Sequence, residues 1–275
     1  MPELPEVETI RRGLERHLPR RGIERVVVRN PRLRWPVAEA IHDLPGQAVQ
    51  RIGRRGKYLL FYMTRGTMIM HLGMSGSLRL VSAVTPPEKH DHVDFVFAGG
   101  VLQGGDCLRF RDPRRFGAIL WTEEAPLTHA RLAALGPEPL EDGFSGAWLF
   151  KVSRNRRVAI KCLLMDGGIV AGLGNIYVNE ALFRAGILPS RPARGLSLAD
   201  CDVLAKSIRE TLREAIDSGG TTLRDFFGSD GKPGYFRQRL RVYGRAGKPC
   251  PQCGHGVEKG LECQRSSFFC AHCQE

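Results

Sequence analysis

Four cysteines near the carboxyl end constrain this chain more than any other feature. Cys250-x2-Cys253 and Cys270-x2-Cys273 are separated by sixteen residues. Each CxxC lets one tight turn present two thiolates to a single ion, and two such turns complete the tetrahedral S4 shell that suits zinc. Four protein ligands leave no open coordination position, so the expected ion is one structural Zn2+ in a zinc ribbon. A redox role for one CxxC leaves the second unexplained. The chain has eight Cys. Cys107, Cys162, Cys201 and Cys263 lack ligand spacing and read as free, buried thiols.

A zinc ribbon alone would suit a binding module, and charge indicates for what. The 275 residues carry 41 Lys and Arg against 29 Asp and Glu, a formal charge of +12. An excess of that size suggests a polyanionic partner. Residues 11–35 hold nine Arg against two Glu, and residues 224–248 hold seven Arg or Lys against two Asp. Two basic surfaces are implied. The acidic first ten residues do not resemble a secretory leader, and no apolar run approaches a membrane span. The expectation is a cytoplasmic protein without a membrane partner, in a compartment where thiols stay reduced.

Between residues 23 and 121, short β-branched and aromatic stretches alternate with turn signals: GIERVVVRN, KYLLFYM, TMIMHLGM, GSLRLV, HVDFVF, LRFRD and GAILW. The alternation His92-Val93-Asp94-Phe95-Val96-Phe97 reads as a half-buried antiparallel strand, so a β-sandwich or barrel is expected. GPEPLEDGFSG, residues 136–146, has the Pro, Gly and acidic residues of a linker. Helical patterns follow at 147–151, 158–165, 176–185 and 199–218, the last with Leu204, Ile208, Leu212 and Ile216 at spacing four. Residues 219–237, rich in Gly and aromatics, fit a loop over a ligand or a plain connector equally well. The fold class is α+β and multidomain.

The chain opens MPELPEVET. Proline early in a helix and glutamate in its first turn are favoured by fixed φ and by the macrodipole, so a simple helix start accounts for the stretch. A chemical reading competes with it. Removal of Met1 exposes the Pro2 secondary amine, and an α-amino group with a pKa near 8 is roughly one-tenth unprotonated at neutral pH. Such an amine attacks a sugar carbon and forms an iminium, an electron sink for elimination. Glu3 lies beside it as proton donor, with Glu6 and Glu8 one or two helical turns away.

PELPEVET, RRGKYLL around Lys57, HLGMSGSLR at 71–79, DPRRFG at 112–117, GLGNIYVNEALF at 172–183, SDGKPGYF at 229–236 and the Cys tail are collinear over the whole chain. Together they resemble the bacterial formamidopyrimidine-DNA glycosylases. The resemblance implies an N-terminal antiparallel β-sandwich with flanking helices, a helix-two-turn-helix domain and the zinc ribbon, divided as 1–135, linker 136–146, 147–240 with a base-capping loop at 219–237, and 241–275. It implies excision of 8-oxoguanine and formamidopyrimidines from duplex DNA, followed by β,δ-elimination.

Carried over by motif, Pro2 would be the nucleophile and Glu3 the acid and base, supported by Glu6. Lys57, taken as part of the strand KYLLFYM, would assist β-elimination. Met74, Arg114 and Phe116 would fill the stack vacated by the flipped nucleotide and meet the orphaned base. His71, His90, Arg156, Lys161 and Asn175 would contact DNA, and Arg265 would act in δ-elimination. Damaged double-stranded DNA is the implied partner of a monomeric, nucleoid-associated enzyme that needs no small-molecule cofactor. Cys162 departs from the family pattern, where proline is common, and Cys263 is placed to compete for zinc. The rivals are an endonuclease VIII-like enzyme for oxidised pyrimidines, whose opening normally has Gly in place of Leu4, and a non-catalytic zinc-ribbon DNA-binding protein.

Overall fold

Helix α1 (Leu4–Glu15) starts in a reciprocal capping box: Glu3 is the N-cap, and Glu6 Oε2 accepts from the Glu3 N–H at 2.8 Å. Pro5 stands in the first turn, where its missing N–H removes no helical bond. Leu4, Val7, Ile10 and Leu14 form the buried stripe. The opposite side carries Glu8 with Arg11 and Arg12, each at 2.9 Å. The structure is a computed structural model that describes residues 2–100, 102, 104–219 and 240–275. They fall into two compact units, the first over residues 2–133 with Gly219 and the second over 134–218 with 240–275.

The first unit contains two antiparallel four-stranded sheets. Its strands are β1 (Ile23–Val28), β2 (Val49–Arg55), β3 (Tyr58–Met63), β4 (Thr67–His71), β5 (Ser77–Ser82), β6 (Asp91–Phe97), β7 (Asp106–Arg111) and β8 (Ala118–Thr122). One sheet runs β1-β6-β7-β5 and the other β2-β3-β4-β8. Their inner faces share a core with α1, including Val7, Ile10, Leu59, Phe61, Met70, Phe95, Leu108 and Phe110. The sandwich expected from the strand pattern is present.

Two strand readings need correction. Strand β2 has no apolar run in the sequence; Arg51, Arg54 and Arg55 hide it, and such charge is tolerated because β2 is a sheet edge. Strand β6 is buried on both faces rather than half-buried. Its polar position Asp94 is neutralised inside: Arg109 donates to both carboxylate oxygens at 2.9 Å and Arg29 to Oδ2 at 2.6 Å. Burial alone would raise the Asp94 carboxyl, but these guanidiniums outweigh it and hold its pKa below the ordinary value.

A short helix, α2 (Ala130–Ala133), ends the first unit. The second is built from α3 (Gly146–Ser153), α4 (Ile160–Leu164), α5 (Asn175–Ala185) and α6 (Leu198–Asp217), followed by the hairpin β9 (Glu258–Glu262) and β10 (Arg265–Phe269). Ser197 and Asp200 cap α6 reciprocally, and its Leu204, Ile208, Leu212 and Ile216 are buried. Gly186 ends α5 in the left-handed conformation, φ +70°. Helix α4 is shorter than its sequence pattern because Ala159 pairs in a bridge with Pro192. Residues 136–146 pack within this unit: the Arg209 guanidinium donates to the carbonyls of Pro139, Glu141 and Phe144. The suggested base-capping loop 219–237 lies, apart from Gly219, outside the described residues.

The free-thiol reading holds for Cys107 and Cys201, which are buried and unbridged. Burial pushes the Cys107 thiol up to about 12, which keeps it inert. It fails for Cys162 and Cys263, which form a disulfide with a Cα–Cα separation of 5.8 Å. The packing of α4 against the β9–β10 turn brings together two residues 101 positions apart, which no local spacing reveals. Cys263 therefore does not belong to the metal-type cluster.

Candidate active site

In the first unit, Pro2 is half-buried and Glu3 is 2% exposed at the start of α1. The helix is fastened to the neighbouring edge strand by side chains that reach backbone. Ile52 N–H donates to Glu15 Oε2 at 2.7 Å, and Arg11 donates to Ile52 O at 3.3 Å. Arg54 completes the link: Nε donates to Glu8 Oε2 at 3.2 Å and Nη1 to Gly56 O at 2.9 Å. The first turns of α1 are thereby tied to the β2–β3 turn that carries Lys57. Lys57 stands in that turn, beside Gly56 at φ +54°, and not on the strand as read from KYLLFYM. The turn is set by the glycine, whose missing Cβ permits the conformation.

Tyr58 pairs across the sheet with His71, their rings 4.7 Å apart. His71 Nδ1 accepts from the Gly73 N–H at 2.9 Å. Burial first, then the charges of Lys57 and Arg34, lower the His71 pKa to about 4. The ring is neutral at working pH, and the bond at Nδ1 leaves its proton on Nε2. This is a donor suited to a phosphate oxygen.

Met74 is half-buried in the turn after His71. A Cβ on Gly73, φ +64°, would meet Phe116 and Gly117 backbone at 2.4–2.6 Å, so this turn lies directly against the 113–117 loop. Asp112, wholly buried, joins the two. Its carboxylate accepts from Ser75 Oγ at 2.7 Å, from Arg114 N–H at 3.2 Å and from Gly117 N–H at 2.7 Å. Its carbonyl is 2.8 Å from His92 Nε2, and its N–H donates to His90 O at 3.1 Å. Arg114 is exposed with its guanidinium 4.8 Å from the Phe116 ring centroid, and Phe116 is 42% exposed. The three suggested void-filling residues thus share one corner, presented by two loops with a common buried carboxylate. Sequence reasoning assigned Asp112 no role, although an Asp before Pro in a D-P-x-x-x-G stretch is the signal of such a loop anchor.

In the second unit, Lys161 is 0% exposed. Its Nζ donates to Ser266 O and Ser267 Oγ, each at 2.7 Å. Burial first lowers its pKa to about 8, opposed by Glu262 and assisted by Arg265. Asn175 Nδ2 donates to Ser266 O at 3.0 Å, and Asn179 Oδ1 accepts from Phe268 N–H at 2.8 Å. Three side chains from α4 and α5 therefore hold one edge of β10, and Arg265 stands exposed at its start. Asn175 also opens α5, whose N-terminus follows Gly172 at φ +84° and is suited to an anion. Arg156 is exposed after α3.

Cys250, Cys253, Cys270 and Cys273 gather with all four Sγ atoms within 4.8 Å of one another. Cys250–Cys273 and Cys253–Cys270 sulfur distances are 3.9 and 3.5 Å. A tetrahedron with metal–sulfur bonds of about 2.3 Å has edges of about 3.8 Å, so the donor set fits a single thiolate-bound ion. Buried Glu180 on α5 accepts from the N–H groups of Arg241, Val242 and Tyr243 at 2.8–3.0 Å, fixing the chain that leads into this cluster.

Comparison with known proteins agrees with the geometry. Residues 1–119 match the formamidopyrimidine-DNA glycosylase N-terminal domain, and residues 135–227 match the formamidopyrimidine-DNA glycosylase H2TH domain. The formamidopyrimidine-DNA glycosylase of Nitrosococcus oceani is 55% identical over 275 residues, with both chains fully covered. The MutM (Fpg) protein from Thermus thermophilus superposes with a TM-score of 0.87 at 39% identity, covering 99% of this chain and 98% of that one. Lactococcus lactis Fpg, in complex with DNA containing N7-benzyl-Fapy-dG, gives 0.89 at 36% identity with both chains fully covered. By sequence over its whole length and by fold, the chain belongs to the formamidopyrimidine-DNA glycosylase family.

Proposed function

We propose that this base-excision repair glycosylase removes oxidised purines by attack of the Pro2 amine on the deoxyribose C1′, then opens the strand by β,δ-elimination. The observation that carries this reading is the capped start of α1, where Pro2 adjoins a Glu3 carboxyl that is almost wholly removed from water. The positive end of the helix lowers the proton affinity of the amine. Glu3 is the neighbouring acceptor for the proton that leaves it, and returns a proton to the sugar ring oxygen as C1′ bonds to nitrogen. Glu6 holds the Glu3 backbone in place. Lys57, on its glycine turn, assists loss of the 3′ phosphate, and Arg265 assists loss of the 5′ phosphate.

Extrusion of the base leaves a gap that Met74 fills, with Phe116 as a wedge beside it and Arg114 facing the unpaired base. His71, His90, Arg156 and Asn175 bind the backbone. Lys161 acts by positioning, because its ammonium is enclosed and bonded to β10. The four-thiolate cluster holds zinc as a structural ion. The chain works as a monomer in the cytoplasm at the nucleoid, without a small-molecule cofactor, divided as 1–135, 136–146, 147–240 and 241–275.

The test uses duplexes carrying 8-oxoguanine opposite cytosine, or thymine glycol, with and without borohydride. The expected result is preferential cleavage of the 8-oxoguanine strand, a borohydride-trapped adduct at Pro2, and at least about tenfold slower trapping in Pro2→Gly, as for removal of an oriented nucleophile. Intact 8-oxoguanine strands, or an adduct mapped elsewhere, would overturn it.

A further inference from the structure

The Cys162–Cys263 bond lies where the proposed DNA contacts of the second unit converge. Cys162 follows Lys161 on α4, and Cys263 is two residues before Arg265. Cys263 and Gln264 form the two-residue loop between β9 and β10, at φ +49° and +57°. That geometry is ordinarily reserved for Asn and Gly, and neither residue has their conformational freedom. The short non-covalent anchors of the hairpin, from Lys161, Asn175 and Asn179, fall on Ser266, Ser267 and Phe268, and Lys161 makes a longer contact of 3.5 Å to the Arg265 carbonyl, which leaves the Arg265 side chain and the turn before it to other restraints. Arg265 is thus bracketed between that anchored stretch and a turn whose covalent tie to the helices is the disulfide.

We propose that Cys162 and Cys263 are a reversible thiol pair, oxidised by hydroperoxides and reduced by dithiols, whose bond sets the turn so that Arg265 meets a DNA phosphate. The inference rests on the reading of Arg265 as a phosphate-directed residue. Cys263 is exposed and Cys162 half-buried, so one partner is open to attack and the other is held against it. The Cys263 thiolate attacks a peroxide oxygen. The O–O bond breaks, one oxygen leaves as water or alcohol, and Cys263 becomes a sulfenic acid. The Cys162 thiolate then attacks the Cys263 sulfur, the S–S bond forms and hydroxide leaves to take up a proton. Two thiols and one hydrogen peroxide give one disulfide and two waters. A dithiol reverses the bond through a mixed disulfide. In a reducing compartment the pair is open at rest and closes under the oxidant that also damages purines. With the bond open, the turn relaxes from its left-handed geometry and Arg265 loses its fixed placement.

The experiment uses the full-length, metal-loaded enzyme, reduced with a phosphine or treated with one equivalent of hydrogen peroxide. Metal content is checked in each state. Mass spectrometry of non-reduced peptides should find Cys162 joined to Cys263 after peroxide and separate after reduction. The oxidised form should bind a duplex containing an abasic-site analogue roughly three- to tenfold tighter, the scale of one charge-assisted phosphate contact, and yield more δ-elimination product from an abasic duplex. Cys162→Ser/Cys263→Ser should behave like the reduced enzyme in either treatment; the redox comparison on the unaltered chain decides the matter if that variant misfolds. Failure of the linked peptide to form with metal retained would overturn the proposal, as would equal affinity and product ratio in both states. Absence of a borohydride-trapped adduct in both states would instead refute the Pro2 chemistry, with the affinity ratio still deciding the role of the bond.

Discussion

The two units hold their candidate DNA contacts by different means. In the sandwich, Met74, Arg114 and Phe116 sit on loops organised by one buried carboxylate, Asp112, and by backbone N–H donors. In the second unit, Arg265 sits on a hairpin held along β10 by Lys161, Asn175 and Asn179 and closed at both ends by sulfur, with four gathered cysteines at its base and a disulfide at its tip. The difference follows from core size. The sandwich loops rest on a large shared core, so hydrogen bonds suffice to set them. The hairpin rests on a smaller cluster that includes Phe183, Val242, Val257 and Phe268, and sulfur links add to the hydrogen bonds that hold it.

The largest effect should come from breaking the thiolate cluster. Cys253→Ser should release the metal and abolish duplex binding, because a structural zinc site contributes about 10–16 kcal/mol of folding free energy. Metal analysis, fluorescence anisotropy with a lesion duplex and circular dichroism should show the hairpin lost and the sandwich intact. Unaltered affinity after verified metal loss would contradict the dependence on sulfur.

Asp112→Ala should do to the sandwich what Cys253→Ser does to the hairpin, on a smaller scale. It leaves Ser75 Oγ, Arg114 N–H and Gly117 N–H without their common acceptor, and should cost about 3–5 kcal/mol of stability in total, since each buried donor left unsatisfied costs about 1–3 kcal/mol. Denaturant titration measures that loss. Cleavage of 8-oxoguanine opposite cytosine should fall with it, while Asp112→Asn, which keeps an acceptor oxygen, should recover part of both.

The smallest effects distinguish the units by pH. His71 binds its proton at about 4 in the folded chain and Lys161 at about 8, against ordinary values of 6.5 and 10.5. Both are bases with lowered affinity, so across each window the unfolded chain holds more protons and stability rises with pH. The His71 contribution is complete above pH 6.5 and is lost as pH falls to about 4. For Lys161, stability rises between pH 8 and 10.5 as the enclosed ammonium gives up its proton. Each window is worth about 3 kcal/mol. Stability curves for His71→Gln and Lys161→Met should flatten in the acid and alkaline windows respectively; a flattening in the other's window would undo the assignment.

Periodic features are the legible ones. The strand and helix positions follow runs such as Leu59 to Phe61 and Leu204 to Ile216, because a buried face imposes a repeat on neighbouring residues. Strand β2 escapes a periodicity reading because an edge admits three arginines. The buried β6 reads as half-exposed because an alternating Asp looks solvent-facing until its arginine partners from other strands are known. At the site, Pro2 and Glu3 are legible only through their motif, since the same residues also make an ordinary helix start, and the structure has Glu3 cap α1. Asp112 stands in a quoted motif without a role, because an acceptor acquires its function from donors on another loop.

The cysteines divide along the same line. Two CxxC pairs determine a four-thiolate site from sequence alone, because each pair is a local turn and the ion needs only four donors within a few ångströms. Cys162 and Cys263 have no such local geometry. Their meeting, like the burial of Lys161 beneath Ser266 and Ser267, was decided by the docking of the hairpin on α4 and α5, a contact between segments about a hundred residues apart. Local chemistry is written in spacing; long-range juxtaposition depends on how the faces pack.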